Sequence, residues 1–148
     1  MGRLLGVDYG DRRIGLALSD PSGSLARPFR VVAASPKLAE ELKDVALREG
    51  VERIVLGFPR NMDGSIGPKA RQVLEFRAWL ERELGLPVDL WDERLSTVEA
   101  SRLLEDAGLS REERGARVDK VAAQRILQSF LDARAAGGRG DGEAPGDG

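Results

Sequence analysis

The short apolar run inside Arg53-Ile54-Val55-Leu56-Gly57 constrains the fold most. It lacks the polar alternation of a half-exposed strand, so it reads as a strand covered on both faces, as in a parallel sheet whose crossover helices pack on either side. The flanking sequence supplies such helices. Upstream, Leu38, Leu42, Val45 and Ala46 recur at helical spacing after Ser35-Pro36, with Ser35 expected as N-cap, Pro36 at the first helical position and Gly50 as the stop. Downstream, after a loop from Phe58 to Gly67, Pro68 opens a helix whose Val73, Phe76, Leu80 and Leu84 form one stripe, and Gly85 ends it. Val88 to Asp92 reads as the next strand.

The N-terminal part follows another rule. Residues 3–8 and 12–19 read as strands joined by a tight turn at Tyr9-Gly10-Asp11, and in the second Ile14, Leu16 and Leu18 alternate with Gly15, Ala17 and Ser19. This predicts an antiparallel hairpin. Asp20-Pro21-Ser22-Gly23 is turn chemistry, and Phe29 to Ala34 reads as a third strand, at an edge because Pro28 precedes it. Beyond Asp92, Ser96-Thr97-Val98-Glu99 is a capping box that predicts a helix to about Ala107-Gly108. A second box at Ser110-Arg111-Glu112-Glu113 predicts a short turn interrupted by Gly115, and a last helix is expected over roughly 117–135. The expectation is an α/β domain over residues 1–136: a five-stranded mixed sheet, three antiparallel strands then parallel ones, with helices on its faces. Residues 137–148 are Gly-rich without an apolar anchor and are expected to be disordered.

The chain contains no Cys and no His, which removes thiol nucleophiles, disulfides, Cys/His zinc sites and every His-based general acid or base. Any catalysis must use carboxylates, hydroxyls, Lys or Arg, or a bound metal. Net charge is −2. Setting aside the tail's Arg139, Asp141, Glu143 and Asp147 leaves 22 basic against 22 acidic residues, so any nucleic-acid contact must be a local basic surface. No apolar run approaches the ~18 residues of a membrane span, and the N-terminus leads straight into a strand, so neither a membrane segment nor a signal peptide is expected, and a cytoplasmic location is.

Three acids stand near element ends. Asp8 closes the first strand, Glu93 follows the strand ending at Asp92, and Asp119 lies in the first turn of the last helix. Each has an ordinary alternative: a turn residue for Asp8, a solvated acid before a helix for Glu93, and an acid stabilised by the helix N-terminus for Asp119. Asp92 and Glu93 point to opposite faces along a strand, so only one can enter a given cleft. If the three acids converge, their oxygens suit Mg²⁺ or Mn²⁺, and two such ions can activate water and stabilise the leaving oxygen of a phosphodiester without a histidine. Arg12, Arg13, Arg60, Lys69, Arg71, Arg94, Arg117 and Lys120 lie in loops or first turns where they could hold phosphates, although each taken singly could be a solvated surface charge. There is no G-x-x-x-x-G-K-[ST] and no G-x-G-x-x-G after a strand.

Four stretches carry a family resemblance: Leu5-Gly6-Val7-Asp8-Tyr9-Gly10 with Ile14-Gly15-Leu16-Ala17, Gly57-Phe58-Pro59-Arg60-Asn61-Met62-Asp63-Gly64, Asp92-Glu93-Arg94-Leu95-Ser96-Thr97, and Val118-Asp119-Lys120-Val121-Ala122-Ala123. In this order, over roughly residues 3–133, they resemble the YqgF (RuvX) family of ribonuclease H-like proteins. The resemblance implies a ribonuclease H-like fold and a nuclease site of three acids, mapping onto Asp8, Glu93 and Asp119, with Arg60 and Asn61 facing the substrate. The family is associated with maturation of the 5′ end of pre-16S ribosomal RNA and is also described as resolving Holliday junctions. The leading expectation is a metal-dependent nuclease for structured RNA, as a monomer or weak homodimer. Cleavage of four-way DNA and a noncatalytic ribosome-assembly role stand as alternatives. An actin-like nucleotide-binding role is disfavoured, because 148 residues leave no room for two lobes to clamp ATP.

Overall fold

The computed structural model describes the backbone of residues 2–95 and 111–137, and the side chains of residues 2–94 and 120–136. Its strands are β1 (Arg3–Asp8), β2 (Arg13–Ser19), β3 (Ala26–Ala33), β4 (Val51–Phe58) and β5 (Val88–Asp92). They form one sheet in the order β3-β2-β1-β4-β5. β1 pairs antiparallel with β2, and β2 with β3, whereas β4 runs parallel to both β1 and β5. Helices α1 (Leu38–Glu49) and α2 (Pro68–Leu84) make the crossovers, and α3 (Arg111–Gly137) closes the described chain. The expected mixed sheet is thus observed.

Alternation along the strands sorts the core into two layers. Leu5, Val7, Ile54 and Leu56 join Leu42, Val45, Val73 and Leu80 of α1 and α2 on one face. Leu4, Ala17 and Val55 meet Ala123, Ile126, Leu127 and Leu131 of α3 on the other. The second face is lined by small residues, so α3 comes close. A methyl group at Gly6 would stand 2.8 Å from Leu127 Cβ and 2.9 Å from the Ala123 carbonyl oxygen. Two glutamines also fasten α3 to the edge strand: Gln128 Oε1 accepts from Ala26 N at 2.7 Å, and Gln124 Nε2 donates to Ala26 O at 3.1 Å.

The helix stops behave as the sequence predicts. Gly50 (φ 65°) and Gly85 (φ 68°) both take the left-handed conformation that terminates α1 and α2. Three expectations are corrected. Ser35-Pro36 does not start α1 directly: Leu38 N donates to Ser35 O and Lys37 N to Ser35 Oγ, making a preliminary turn before the helix begins at Leu38. β3 begins at Ala26 and contains Pro28, which the edge tolerates because the pairing with β2 shifts register between Leu16 and Ala17. Gly115 does not interrupt the last helix, which is continuous from Arg111; an interior glycine costs only about 1 kcal/mol, and one is not enough to break a long helix. The helix expected after Ser96 and the tail from residue 138 lie outside the described residues.

Candidate active site

The parallel strands β1, β4 and β5 all finish at one end of the sheet, where open α/β sheets place their ligand crevices. Asp8 is the last residue of β1. It shares a face with Gly6, the α3 face, because side chains two apart on a strand point the same way. Its cross-strand partner on β2 is Gly15, and on β4 the residue beside it, one past the Val7–Leu56 pair, is Gly57. A half-buried carboxylate is therefore flanked by two positions without side chains.

Glu93 begins the 3₁₀ turn, Glu93–Leu95, that follows β5. Its side chain folds back across β4: a methyl group at Gly57 would lie 2.9 Å from Glu93 Oε2, 3.1 Å from Glu93 Cγ and 2.6 Å from Ile126 Cδ1 of α3. Neighbouring strands lie about 4.8 Å apart, so Asp8 and Glu93 occupy adjoining positions on one face. Burial pushes the Glu93 carboxyl above its ordinary range; the ammonium of Lys69 opposes the shift and the charge of Asp92 adds to it. Asp92 takes another course. Hydrogen bonds from the Arg94 side chain hold its carboxyl low, with partial burial working against them. Of the two adjacent acids, only Glu93 lies across Gly57.

Asp119 belongs to α3, one helical turn before Ala123, whose carbonyl abuts Gly6; its side chain lies outside the described residues. Among the described residues no group of three or more acids could hold a metal ion. The donors present are nonetheless those a hard divalent cation takes: carboxylate oxygens on one face, in a chain with no Cys or His.

The basic residues are spread over several elements. Arg12 and Arg13 are exposed at the β1–β2 connection, and Lys69 and Arg71 are exposed in the first turn of α2. Arg60 is exposed with its guanidinium 5.9 Å from the Phe58 ring, and Lys120 is half-buried on α3. Arg94 differs, because Nη2 donates to Asp92 Oδ2 at 2.6 Å and Nη1 to the carbonyls of Asn61 and Met62 at 3.4 Å. Asn61 is engaged within its own loop, donating from Nδ2 to Ser65 Oγ at 2.9 Å. The side chain of Arg117 lies outside the described residues. Gly57 was not among the residues singled out from sequence, although a glycine ending an apolar strand signals a close approach.

The chain matches the model of the RuvX family, described as Holliday junction resolvase, over residues 2–133. It is 47% identical to a Pelotomaculum thermopropionicum protein named "Putative pre-16S rRNA nuclease", covering 95% of this chain and 96% of that one. It is 48% identical to a Desulfitobacterium hafniense protein of the same name, covering 88% and 92%. Among solved structures, Thermus thermophilus RuvC in complex with a Holliday junction substrate aligns with a TM-score of 0.53 at 20% identity, over 90% of this chain and 96% of that chain. The Fowlpox virus resolvase with Holliday junction DNA aligns with a TM-score of 0.52 at 8% identity, over 88% and 97%. At these identities the likeness is one of fold, and it is the ribonuclease H-like fold.

Proposed function

The chain belongs to the RuvX family, and from that premise we propose that it is a metal-dependent nuclease whose acids Asp8, Glu93 and Asp119 hold Mg²⁺ or Mn²⁺ at the carboxyl end of the sheet. The observation carrying this reading is Glu93 lying across Gly57 on the face that Asp8 shares. A bound divalent ion supplies activation of water and stabilisation of the leaving oxygen. The protein's own part is to gather and orient charge. Gly15 beside Asp8 adds no side chain to that face, and Lys69 favours the ionised, ligating form of Glu93 against the pull of burial. Ile126 packs under Gly57, in the cluster that Trp91 and Phe130 border. Arg12, Arg13, Arg60, Lys69 and Lys120 would hold the phosphates either side of the scissile bond.

The substrate best supported by the names of the relatives is the 5′ extension of pre-16S rRNA, processed in the cytoplasm by a monomer or weak homodimer. Cleavage of four-way DNA junctions is a second reading, favoured by the family description and the resolvase fold, and it calls for a dimer that nicks symmetrically. The test is a side-by-side assay on a 5′-extended small-subunit rRNA precursor and a synthetic four-way junction, with and without Mg²⁺, for the parent chain and Asp8→Asn. Metal-dependent cleavage of the precursor, lost in Asp8→Asn, is expected. Cleavage indifferent to that substitution would end the three-acid proposal, and no cleavage of either substrate would leave a noncatalytic assembly role.

A further inference from the structure

Arg94 joins the β4–α2 loop to the end of β5, which no backbone hydrogen bond connects among the described residues. Its guanidinium grips Asp92 from two sides, Nε at 2.9 Å and Nη2 at 2.6 Å from Oδ2, while the Arg94 backbone N–H donates to Asp92 Oδ1 at 2.9 Å. The remaining edge, Nη1, faces the carbonyls of Asn61 and Met62 and lies 3.8 Å from where a methyl at Gly64 would stand. Those carbonyls belong to the β4–α2 loop, which has its own internal order. Asn61 N donates to Ser65 O, Gly64 N to Asn61 O, and Ser65 N and Oγ both donate to Asp63 Oδ1. The loop is thus a preformed unit that Arg94 fastens to the residue next to Glu93. Met62, 89% exposed, and Arg60 stand on that unit.

A phosphate-binding arginine keeps its fork open, whereas this fork is spent on a carboxylate and two carbonyls. We infer that Arg94 is a positioning residue that buckles the β4–α2 loop to the end of β5, setting Arg60 and Met62 at a fixed height above Glu93 to receive the nucleic-acid strand. This rests on the nuclease reading for its substrate, but the buckle itself is a property of the protein alone. Lysine is no substitute, since a single ammonium on a flexible stem cannot reproduce the planar fork that meets both Asp92 and the loop carbonyls.

The experiment compares Arg94→Ala, Arg94→Lys, Asp92→Ala and the Arg94→Ala/Asp92→Ala double variant in the full chain, by amide hydrogen exchange of residues 59–67, by binding of the rRNA precursor in EDTA across a salt series, and by KM and kcat with Mg²⁺. The expected result is faster loop exchange by about tenfold in every single variant, lysine included, no further increase in the double variant, and a KM raised about tenfold with kcat within about twofold. The inference is overturned if Arg94→Lys exchanges and binds like the parent, if Asp92→Ala is silent, or if Arg94→Ala lowers the salt slope by about 0.7–0.9 while its loop exchanges at the parent rate, as a lost direct phosphate contact would. Exchange needs no substrate, so slow exchange in the variants refutes the buckle, whereas fast exchange without cleavage by any protein, parent included, refutes the nuclease reading alone.

Discussion

Glu93 and Gly57 are packed against each other across the β4–β5 boundary: a methyl group on Gly57 would sit 2.9 Å from the carboxylate oxygen Oε2 and 2.6 Å from Ile126 Cδ1. Gly57→Ala must therefore displace the Glu93 carboxylate, the tip of the Ile126 side chain or both. It is expected to lower cleavage by at least about tenfold and to cost about 1 kcal/mol of stability, the low end for overpacking, because side-chain tips can give way. Steady-state cleavage and urea unfolding of the purified variant measure the two effects separately.

Two carboxylates brought onto one face repel each other when no cation lies between them. Mg²⁺ or Mn²⁺ is therefore expected to raise the melting temperature of the parent chain in a concentration-dependent way, since a ligand that binds the folded state stabilises it by mass action. Asp8→Asn and Glu93→Gln are expected to lose the metal-dependent rise and to cleave at least about a hundredfold more slowly. A metal-induced shift persisting in both variants would place the ions elsewhere.

The turn after β2 offers a prediction away from the site. Asp20 accepts hydrogen bonds from the Ser22 hydroxyl and from the backbone N–H groups of Ser24 and Leu25, which lower its pKa from 3.8 to about 2. Because the folded value lies below the unfolded one, the stabilisation is fully present above pH 3.8 and fades as pH falls through about 2. Asp20→Ala is expected to unfold at lower urea than the parent at pH 7, and the gap is expected to narrow in a series from pH 4 to pH 2. A gap independent of pH would show that the side chain acts by packing instead.

Leu127 is fully buried between α3 and β1, its Cβ facing Gly6. Leu127→Ala is expected to cost about 2–5 kcal/mol, because the close seating of α3 on the sheet leaves little room for collapse around the lost atoms. Denaturant unfolding measures it. A loss under 1 kcal/mol would mean that α3 settles onto the sheet when the side chain is trimmed.

The sheet was readable from sequence because its two halves obey different patterns. Ile54-Val55-Leu56 is apolar throughout, whereas Ile14, Leu16 and Leu18 alternate with small residues, and the structure makes the first parallel and the second antiparallel. Asp8 was visible as a carboxylate closing an apolar strand. The seating of Glu93 over Gly57 was not, since it depends on the register that pairs Gly57 with Trp91, which is set by distant packing. Arg94 looked like one more loop cation. Its distance of two residues from Asp92 was the available clue, because an Asp at the start of a turn accepts from the amide two residues on, which brings that residue's side chain within its reach. Gly115 misled in the opposite sense, as a local breaker overridden by its helical context.

The glutamine fastening at Ala26 has a consequence for self-association. β3 ends the sheet, and an open terminal strand offers its peptide groups as a template for another chain. Here the Ala26 amide and carbonyl are already claimed by Gln128 and Gln124, and Pro28 two residues on has no N–H to give. An incoming strand finds that stretch of the rim sealed, so any pairing of another chain along β3 has to begin beyond Pro28.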